Sequence, residues 1–398
     1  MLCRICVNYM HKFLDLGKQP IANRFLKTAS EIESEFFYQL KLYFCPHCYS
    51  IQMGSCPVDP SFVFNSNYPF FTSTSAFMQR HFQVLAKEIK WDFMPLNGFI
   101  VEIGSNDGTF LSEFAIDTDF RHLGIEPSQN VAEKARDNGV LTLGKFFSDE
   151  TAQEIISDMG SANVIVSANV FPHIVDRTSV LRGIKSLLKF DGVWIDEEVY
   201  FGDVIEKISY DQCYNEHVYF ATITSYKELF ELFDLEIMGV SFIGVHGGSV
   251  RFYVGHKGRA TEEQREKINH FVSREGLSDL KRLETFQKEV IKSKHKFLSL
   301  LHHIKLNGEK IVGYGAPAKS STILNYCGIT TELIEKIYDT TPCKQGTLSP
   351  GMHIPIVPYE DFRKDNPRNV VLFIWNHFNE VKAKEKLKWG DRQWIMPI

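Results

Sequence analysis

The rhythm of apolar and polar positions changes three times along this chain, and each change predicts a different kind of structure. In the first sixty residues apolar positions fall in short runs, Phe13-Leu-Asp-Leu-Gly17 and the strand-like Tyr38-Gln-Leu-Lys-Leu-Tyr-Phe44. A helix is expected from about Ser75 to Lys90. Continuous apolar runs at 99–104, 122–126, 140–143, Asn163–Asn169 and Gly192–Glu197 then read as buried strands. They alternate with helical stretches near 108–116, 128–138, 149–158 and 176–189. This alternation predicts a doubly wound parallel sheet. A helix near Ser225–Phe233 and strands at Leu235–Phe242 and Ser249–Gly255 should close it with an antiparallel hairpin. From about 261 to 306 the chain turns polar and helical, with Leu283, Phe286, Val290, Phe297, Leu301 and Ile304 at three-to-four spacing. Strand–turn–helix alternation then resumes at Lys310-Ile-Val-Gly-Tyr-Gly-Ala-Pro-Ala-Lys319. A second strand runs into Tyr338-Asp-Thr-Thr-Pro342, and a third covers Val370–Trp375. The expected class is α/β in three units: a small one at 1–66, a doubly wound one at 67–258 and a smaller α/β one at 259–398.

Composition narrows the function classes. A chain of 398 residues with 44% hydrophobic and 23% charged positions is long enough for such a division and ordinary for a globular protein. The net charge of −5 gives no general basic footprint for nucleic acid or anionic lipid. No apolar run reaches 18 residues, so no transmembrane helix is expected, and Met1-Leu-Cys-Arg-Ile-Cys6 does not read as a signal peptide. The expected compartment is the cytoplasm, where the eight cysteines would serve as thiols or metal ligands rather than disulfides.

Cys3-x-x-Cys6 and Cys45-x-x-Cys48 are matched pairs separated by 38 residues. Two such pairs supply the four thiolates of a tetrahedral structural zinc site, closed to catalysis. His11 and His47 are weaker ligand candidates, and Cys56 is expected just outside the site. A zinc module could also bind nucleic acid, but Glu31, Glu33 and Glu35 and the scarcity of basic residues between the pairs disfavour that.

The strand–turn–helix start Phe99-Ile-Val-Glu-Ile-Gly-Ser-Asn-Asp-Gly-Thr-Phe-Leu111 is the best candidate cofactor site. Its glycines, Gly104 and Gly108, let the backbone turn tightly beside a ligand. Glu126 follows Gly104 by 22 residues at the tip of the next strand, where an acid binds both hydroxyls of a ribose. The Gly-x-Gly-x-x-Gly phosphate fingerprint is absent, and Glu102 and Asp107 would repel a pyrophosphate. A cofactor with a ribose, a cationic centre and no phosphates fits, which is S-adenosylmethionine (SAM). In the C-terminal unit, Gly313-x-Gly315 lacks a third glycine and the usual acid, so nicotinamide binding is not expected. The loop Pro60–Ser75, rich in aromatics, hydroxyls and amides, reads either as a packed linker or as a lid over a polar ligand. The densest chemical cluster is Tyr210-Asp-Gln-Cys-Tyr-Asn-Glu-His-Val-Tyr-Phe220, past a strand end on the carboxyl edge of the sheet. A histidine beside a carboxylate and near a tyrosine there is a candidate general base, and a surface helix is the plainer alternative.

Taken together these blocks resemble the SAM-dependent sugar C-methyltransferases, which act on nucleotide-linked 4-keto-6-deoxy sugars in deoxysugar biosynthesis. The resemblance covers the four-cysteine unit, Val101-Glu-Ile-Gly-Ser-Asn-Asp-Gly108, Gly124-Ile-Glu-Pro-Ser128, Ala168-Asn169 and Pro172-His-Ile174. It continues through Tyr214-Asn-Glu-His217, His246-Gly-Gly-Ser-Val-Arg251, Gly313-Tyr-Gly-Ala-Pro-Ala-Lys-Ser320 and Tyr338-Asp-Thr-Thr-Pro342. It implies a class I methyltransferase sheet between a zinc-binding domain and a Rossmann-like C-terminal domain. By the same resemblance His217 matches the base, with Glu216 holding its ring and Tyr214 close by. His173 matches a second active-site histidine, and Tyr68 a tyrosine reaching toward the sugar. Glu126 matches the ribose acid, and Asn106 and Asn169 fall at cofactor-pocket positions. This chain has Ser105 where relatives commonly have cysteine, and Phe171-Pro172 is bulkier than expected before His173. The implied partner is a dTDP- or GDP-linked keto sugar, its diphosphate near Lys319 and Lys344. Two other readings remain at this point: an O- or N-methyltransferase of the same fold, and a non-catalytic SAM- or sugar-nucleotide-binding protein.

Overall fold

The computed structural model describes residues 1–55, 58–66, 68, 70–277, 280–386 and 392–398, so Cys56 lies outside the described residues. The N-terminal strands are β1 (His11–Pro20), β2 (Phe37–Phe44) and β3 (Ile51–Met53), paired antiparallel in that order. The central sheet uses β4 (Phe99–Ile103), β5 (Arg121–Ile125), β6 (Thr142–Leu143), β7 (Ala162–Ala168) and β8 (Leu188–Val199), all parallel. A two-residue strand, β9 (Tyr219–Phe220), follows, and then the closing pair β10 (Leu235–Ile243) and β11 (Ser249–His256). The strand order is β10-β11-β8-β7-β4-β5-β6, so β11 is inserted antiparallel between β8 and β10. The apolar runs that predict the parallel strands are buried because helices cover both faces.

Two central elements differ from expectation. The helix expected near 108–116 shrinks to Ser112–Ala115. Asn106 and Gly108 adopt left-handed backbone conformations (φ 48° and 77°), and Ser112 N donates to Gly108 O at 2.8 Å, so the chain stays in a turn for longer. The strand expected at Gly192–Glu197 runs on to Val199 and carries three consecutive buried acids, Asp196, Glu197 and Glu198.

The polar stretch forms two helices, Glu262–Glu275 and Lys281–Leu306. All six apolar positions read from its spacing are buried in the second. The C-terminal sheet comprises β12 (Ile311–Tyr314), β13 (Ile337–Asp339), β14 (Ile356–Pro358), β15 (Asn369–Leu372) and β16 (Gln393–Ile395). It is wholly parallel, in the order β14-β13-β12-β15-β16. Among the described residues no helix is long and apolar enough to cross a membrane.

The pairing of β9 is not legible from hydrophobic periodicity. It adds to the N-terminal sheet, with Ile51 opposite Phe220 and Gln52 opposite Tyr219. One apolar core then runs from Phe13, Leu40 and Phe44 through Phe201, Val218 and Phe220 to Phe286, Ile323 and Val371. The segment carrying Tyr214–His217 is thereby embedded between the first and last units.

Candidate active site

The turn after β4 is shaped by contacts that exclude larger residues. Gly104 has φ 72°, and a Cβ there would meet Val170 Cγ2 at 2.3 Å. Glu126, at the end of β5, accepts from Asn106 N at 3.0 Å and from Ser128 N at 2.7 Å. Each carboxylate oxygen thus keeps a further lone pair, while burial pushes this acid up from its ordinary value. Glu102 lies beneath the turn, and burial, then Asp107 and Glu126, hold it well above the usual carboxylate range. Asn169, at the end of β7, is also left-handed (φ 56°), with its N–H donating to Glu197 O at 2.7 Å.

The aromatic loop lies directly on this turn. Thr72 N donates to Asn106 Oδ1 at 2.9 Å, and Ser73 N donates to Asp107 Oδ2 at 3.0 Å. Asn106 Nδ2 donates to Phe70 O at 3.1 Å, and Asn130 Nδ2 to Tyr68 O at 2.9 Å. These bonds pack the described part of Pro60–Ser75 onto the turn, as both the linker and the lid readings require. Glu102 Oε2, Ser105 Oγ and Asn130 Oδ1 nevertheless remain buried without a hydrogen-bond partner. Such orphaned atoms are costly unless a polar ligand meets them, so this turn fits a cofactor with hydroxyl and amine groups.

Four predicted catalytic rings form one row, with an unpredicted fifth. The Tyr214 and His217 centroids lie 4.3 Å apart, His217 and His173 5.2 Å, His173 and Phe64 5.5 Å, and Phe64 and Tyr68 5.3 Å. Phe64 has no polar signature that would single it out. Both histidines are tied to main-chain carbonyls: His217 Nδ1 to Gln212 O and His173 Nδ1 to Glu216 O, each at 2.8 Å. With Nδ1 the donor, Nε2 of each neutral ring is the acceptor. Burial, then the nearby His173, hold His217 down to about 3, and burial also lowers His173. Burial raises the phenols of Tyr214 and Tyr68, so both stay protonated donors.

The expected partnership between Glu216 and the His217 ring is not what the structure holds. The Glu216 carboxylate turns away and accepts from Asn23 Nδ2 at 2.8 Å, while its main-chain carbonyl meets His173. Main-chain geometry explains the exchange, because the backbone turns tightly here, with His217 N donating to Tyr214 O at 3.0 Å. The His173 turn is clamped from below. Glu198 Oε1 accepts from Phe171 N at 3.0 Å, and Arg177 Nη2 donates to Phe171 O at 3.2 Å.

The C-terminal turn abuts the same segment. Contrary to expectation it has its acid: Asp339, at the end of β13, accepts from Ala316 N and Thr341 N, each at 2.7 Å. Lys319 is nearly buried, donates to Asn376 Oδ1 and lies over the Trp375 ring. Trp375 Nε1 donates to Asp211 Oδ2 at 2.7 Å, and Thr322 Oγ1 to Cys213 O at 2.7 Å. Lys344 Nζ donates to Ala316 O at 2.9 Å over the Phe25 ring.

The four cysteines converge. All four Sγ atoms lie within 4.8 Å of one another, with Cys3–Cys48 at 3.6 Å and Cys6–Cys45 at 3.4 Å. Tetrahedral zinc bound by sulfur at ~2.3 Å sets the sulfurs about 3.8 Å apart, so the cluster is the right size. Gln52 Nε2 donates to Cys3 Sγ at 3.0 Å, and Asn8 Nδ2 to Cys6 Sγ at 3.4 Å, as donors to thiolates do.

Inserted-strand topology and a strand-tip acid beside a glycine turn define a class I SAM-dependent methyltransferase, here carrying a structural zinc site. Three family models match in order: a zinc binding domain over 3–64, a methyltransferase domain over 76–239 and a C-methyltransferase C-terminal domain over 244–398. The chain is 28% identical over 405 residues to the C-methyltransferase NovU of Streptomyces niveus, covering 100% of this chain and 95% of that protein. Together these matches support a C-methyltransferase family for this chain. Solved structures match about half of the chain with lower likeness. The PH0226 protein of Pyrococcus horikoshii is 14% identical over 50% of this chain and 97% of its own, with a TM-score of 0.38. Magnesium protoporphyrin IX methyltransferase of Synechocystis, solved with bound SAH, is 12% identical over 45% of this chain and 83% of its own, with a TM-score of 0.35.

Proposed function

We propose that this enzyme methylates carbon C3 of a nucleotide-linked 4-keto-6-deoxy sugar, with His217 as the base. The observation that supports it most directly is the tethering of His217 through Nδ1 to Gln212 O, beside Tyr214 and His173. A hydrogen on carbon beside a ketone is acidic because the electron pair left behind spreads onto the ketone oxygen. Neutral His217 accepts that proton at Nε2. Negative charge from the substrate and the developing enolate raises this imidazole from its depressed value toward the range a general base needs. The phenols of Tyr214 and Tyr68 are the candidates to stabilise the enolate oxygen, with His173 packed beside them, and one preorganised donor contributes roughly 2–4 kcal/mol. SAM supplies the electrophilic methyl group. Glu126 takes its ribose, while Glu102, Gly104, Asn106, Asp107 and Asn169 frame the rest of its site. The covering loop excludes water and the ring row aligns the sugar carbon. Lys319 and Lys344 are the candidate cations for the diphosphate.

Mass spectrometry of dTDP- and GDP-linked 4-keto-6-deoxy sugars incubated with enzyme and SAM tests this reading. One carbon-bound methyl is expected on one of the two substrates. Replacing SAM by its demethylated product in heavy water should give deuterium at C3, abolished in His217→Ala. SAM binding with neither sugar methylated would overturn the acceptor assignment.

A further inference from the structure

The zinc unit is built into the loop that carries His217, on both sides of that residue. Before it, Ala22 N donates to Asn215 Oδ1 at 2.9 Å, and Asn23 Nδ2 donates to Glu216 Oε1 at 2.8 Å. After it, Met53 N donates to Val218 O at 2.9 Å, and β3 pairs with β9 through Ile51–Phe220 and Gln52–Tyr219. Strand β3 begins three residues after Cys48, so the thiolate cluster fixes where that strand starts. Gln52 joins the two features in one residue. Its main chain pairs with β9, while its fully buried amide donates to Cys3 Sγ at 3.0 Å and accepts from Arg4 N at 3.2 Å.

We infer that Gln52 and Asn23 are positioning residues through which the zinc cluster sets the place of the His217 loop. The catalytic meaning of this coupling rests on the reading of His217 as the base; the mechanical coupling does not. Sheet order supports the inference. The four thiolates lie at one end of β1-β2-β3-β9, and β9 is the strand of that sheet contributed by residues beyond the zinc unit. The SAM turn is attached elsewhere, to β4, β5 and the covering loop. Zinc therefore acts on proton abstraction far more than on cofactor affinity.

The test is hydrogen–deuterium exchange of the full zinc-loaded chain, before and after chelation and in Gln52→Leu and Asn23→Ala, alongside SAM titration. Metal loss and Gln52→Leu should speed amide exchange in 214–220 by about tenfold or more, with strands 99–103 and 162–168 unchanged. Gln52→Leu should also weaken zinc retention by roughly 10–100-fold, as loss of a hydrogen bond to a ligand does. SAM affinity should stay within about twofold. Unchanged protection of 214–220 after chelation would overturn the coupling. Loss of protection throughout the chain together with SAM binding would overturn it too, by making zinc a general folding element. Asn23→Ala guards against misfolding of the strand variant, since its effect should be confined to 214–217. Catalytically, Asn23→Ala should lower kcat by a constant factor across pH, with KM for SAM unchanged. Asn23→Asp sets a second carboxylate beside Glu216, so its rate should fall further as pH rises through the carboxylate range. Absence of C3 deuterium exchange in the unmodified enzyme would overturn the base reading alone and leave the coupling to the amide data.

Discussion

At the end of β4 the chain turns through Gly104 and Gly108, and Glu126 grips the turn by accepting from Asn106 N and Ser128 N. At the end of β12 it turns through Gly315 (φ 80°), and Asp339 grips it by accepting from Ala316 N and Thr341 N. Both are strand–turn–helix units with an acid at the tip of the next strand. They differ in what meets their polar groups. Around the first turn Glu102 Oε2, Ser105 Oγ and Asn130 Oδ1 stay without partners, beneath a covering loop. Beside the second, Lys319 is engaged by Asn376, and Trp375 and Thr322 reach across to Asp211 and Cys213. The second turn also has unmet atoms beside it, Asp211 Oδ1 and Asn325 Oδ1, but it differs from the first in docking the His217 loop. A glycine turn with its acid does not by itself define a nucleotide site; the partners of the surrounding polar atoms decide.

The largest expected effect falls on the segment held between the turns. His217→Ala should lower kcat by about 10²–10⁴-fold, the range of a lost general base, with SAM affinity unchanged by titration. An equal loss of SAM binding would mean that His217 belongs to the cofactor turn instead.

The glycines separate the turns next. Gly104→Ala forces a left-handed alanine, at about 1–2 kcal/mol. Its Cβ also meets Val170 at 2.3 Å, adding roughly 1–3 kcal/mol of overpacking. SAM affinity measured by calorimetry should fall by at least tenfold. Gly315→Ala places a Cβ 2.8 Å from Ile374 at φ 80° and should lower the unfolding temperature while leaving SAM affinity intact. The acids repeat the contrast at smaller scale. Glu126→Gln should cost SAM affinity, about 1–3 kcal/mol for a hydrogen bond to a charged group. Asp339→Asn should cost stability while leaving SAM affinity intact.

Most of this division is legible in the sequence, for identifiable reasons. The parallel strands announce themselves because burial on both faces demands continuous apolar runs, and Glu126 because its distance from Gly104 is set by one helix and one strand. The matched cysteine spacings do the same for the metal site. The partners of Glu216 and His217 are not legible. Asn23 lies 193 positions from Glu216, and the carbonyl of Gln212 carries no side-chain signal at all. The Glu216–His217 neighbourhood in sequence pointed to a carboxylate–imidazole pair, whereas the tight backbone turn sends the carboxylate toward Asn23. Asp339, at the end of a strand the sequence does show, is not legible as the acid of the second turn, because its bonds go to the main-chain N–H groups of Ala316 and Thr341, which carry no side-chain signal.

The smallest effect is the dependence on pH, which sharpens the contrast between the cofactor turn and the histidine row. His217 is held down to about 3 and His246 to about 4, in both cases chiefly by burial. Between the ordinary imidazole value of 6.5 and these depressed values, the unfolded chain binds protons that the folded chain excludes. These histidines therefore make stability fall as pH drops through that window. For catalysis the sign is the same: protonation removes the base, but only well below 6.5. The acid limb of kcat/KM for C3 exchange, which reports the substrate-free enzyme, should accordingly lie below the ordinary imidazole range. SAM affinity should follow a different curve, because Glu102 and Glu126 at the turn are raised by burial and release their protons as pH rises. Measuring exchange rate and SAM affinity across the same buffers separates the two. An exchange profile that breaks at the ordinary imidazole value would place the titrating base in solvent, outside the buried row. An exchange profile that tracks SAM affinity would return proton abstraction to the cofactor turn.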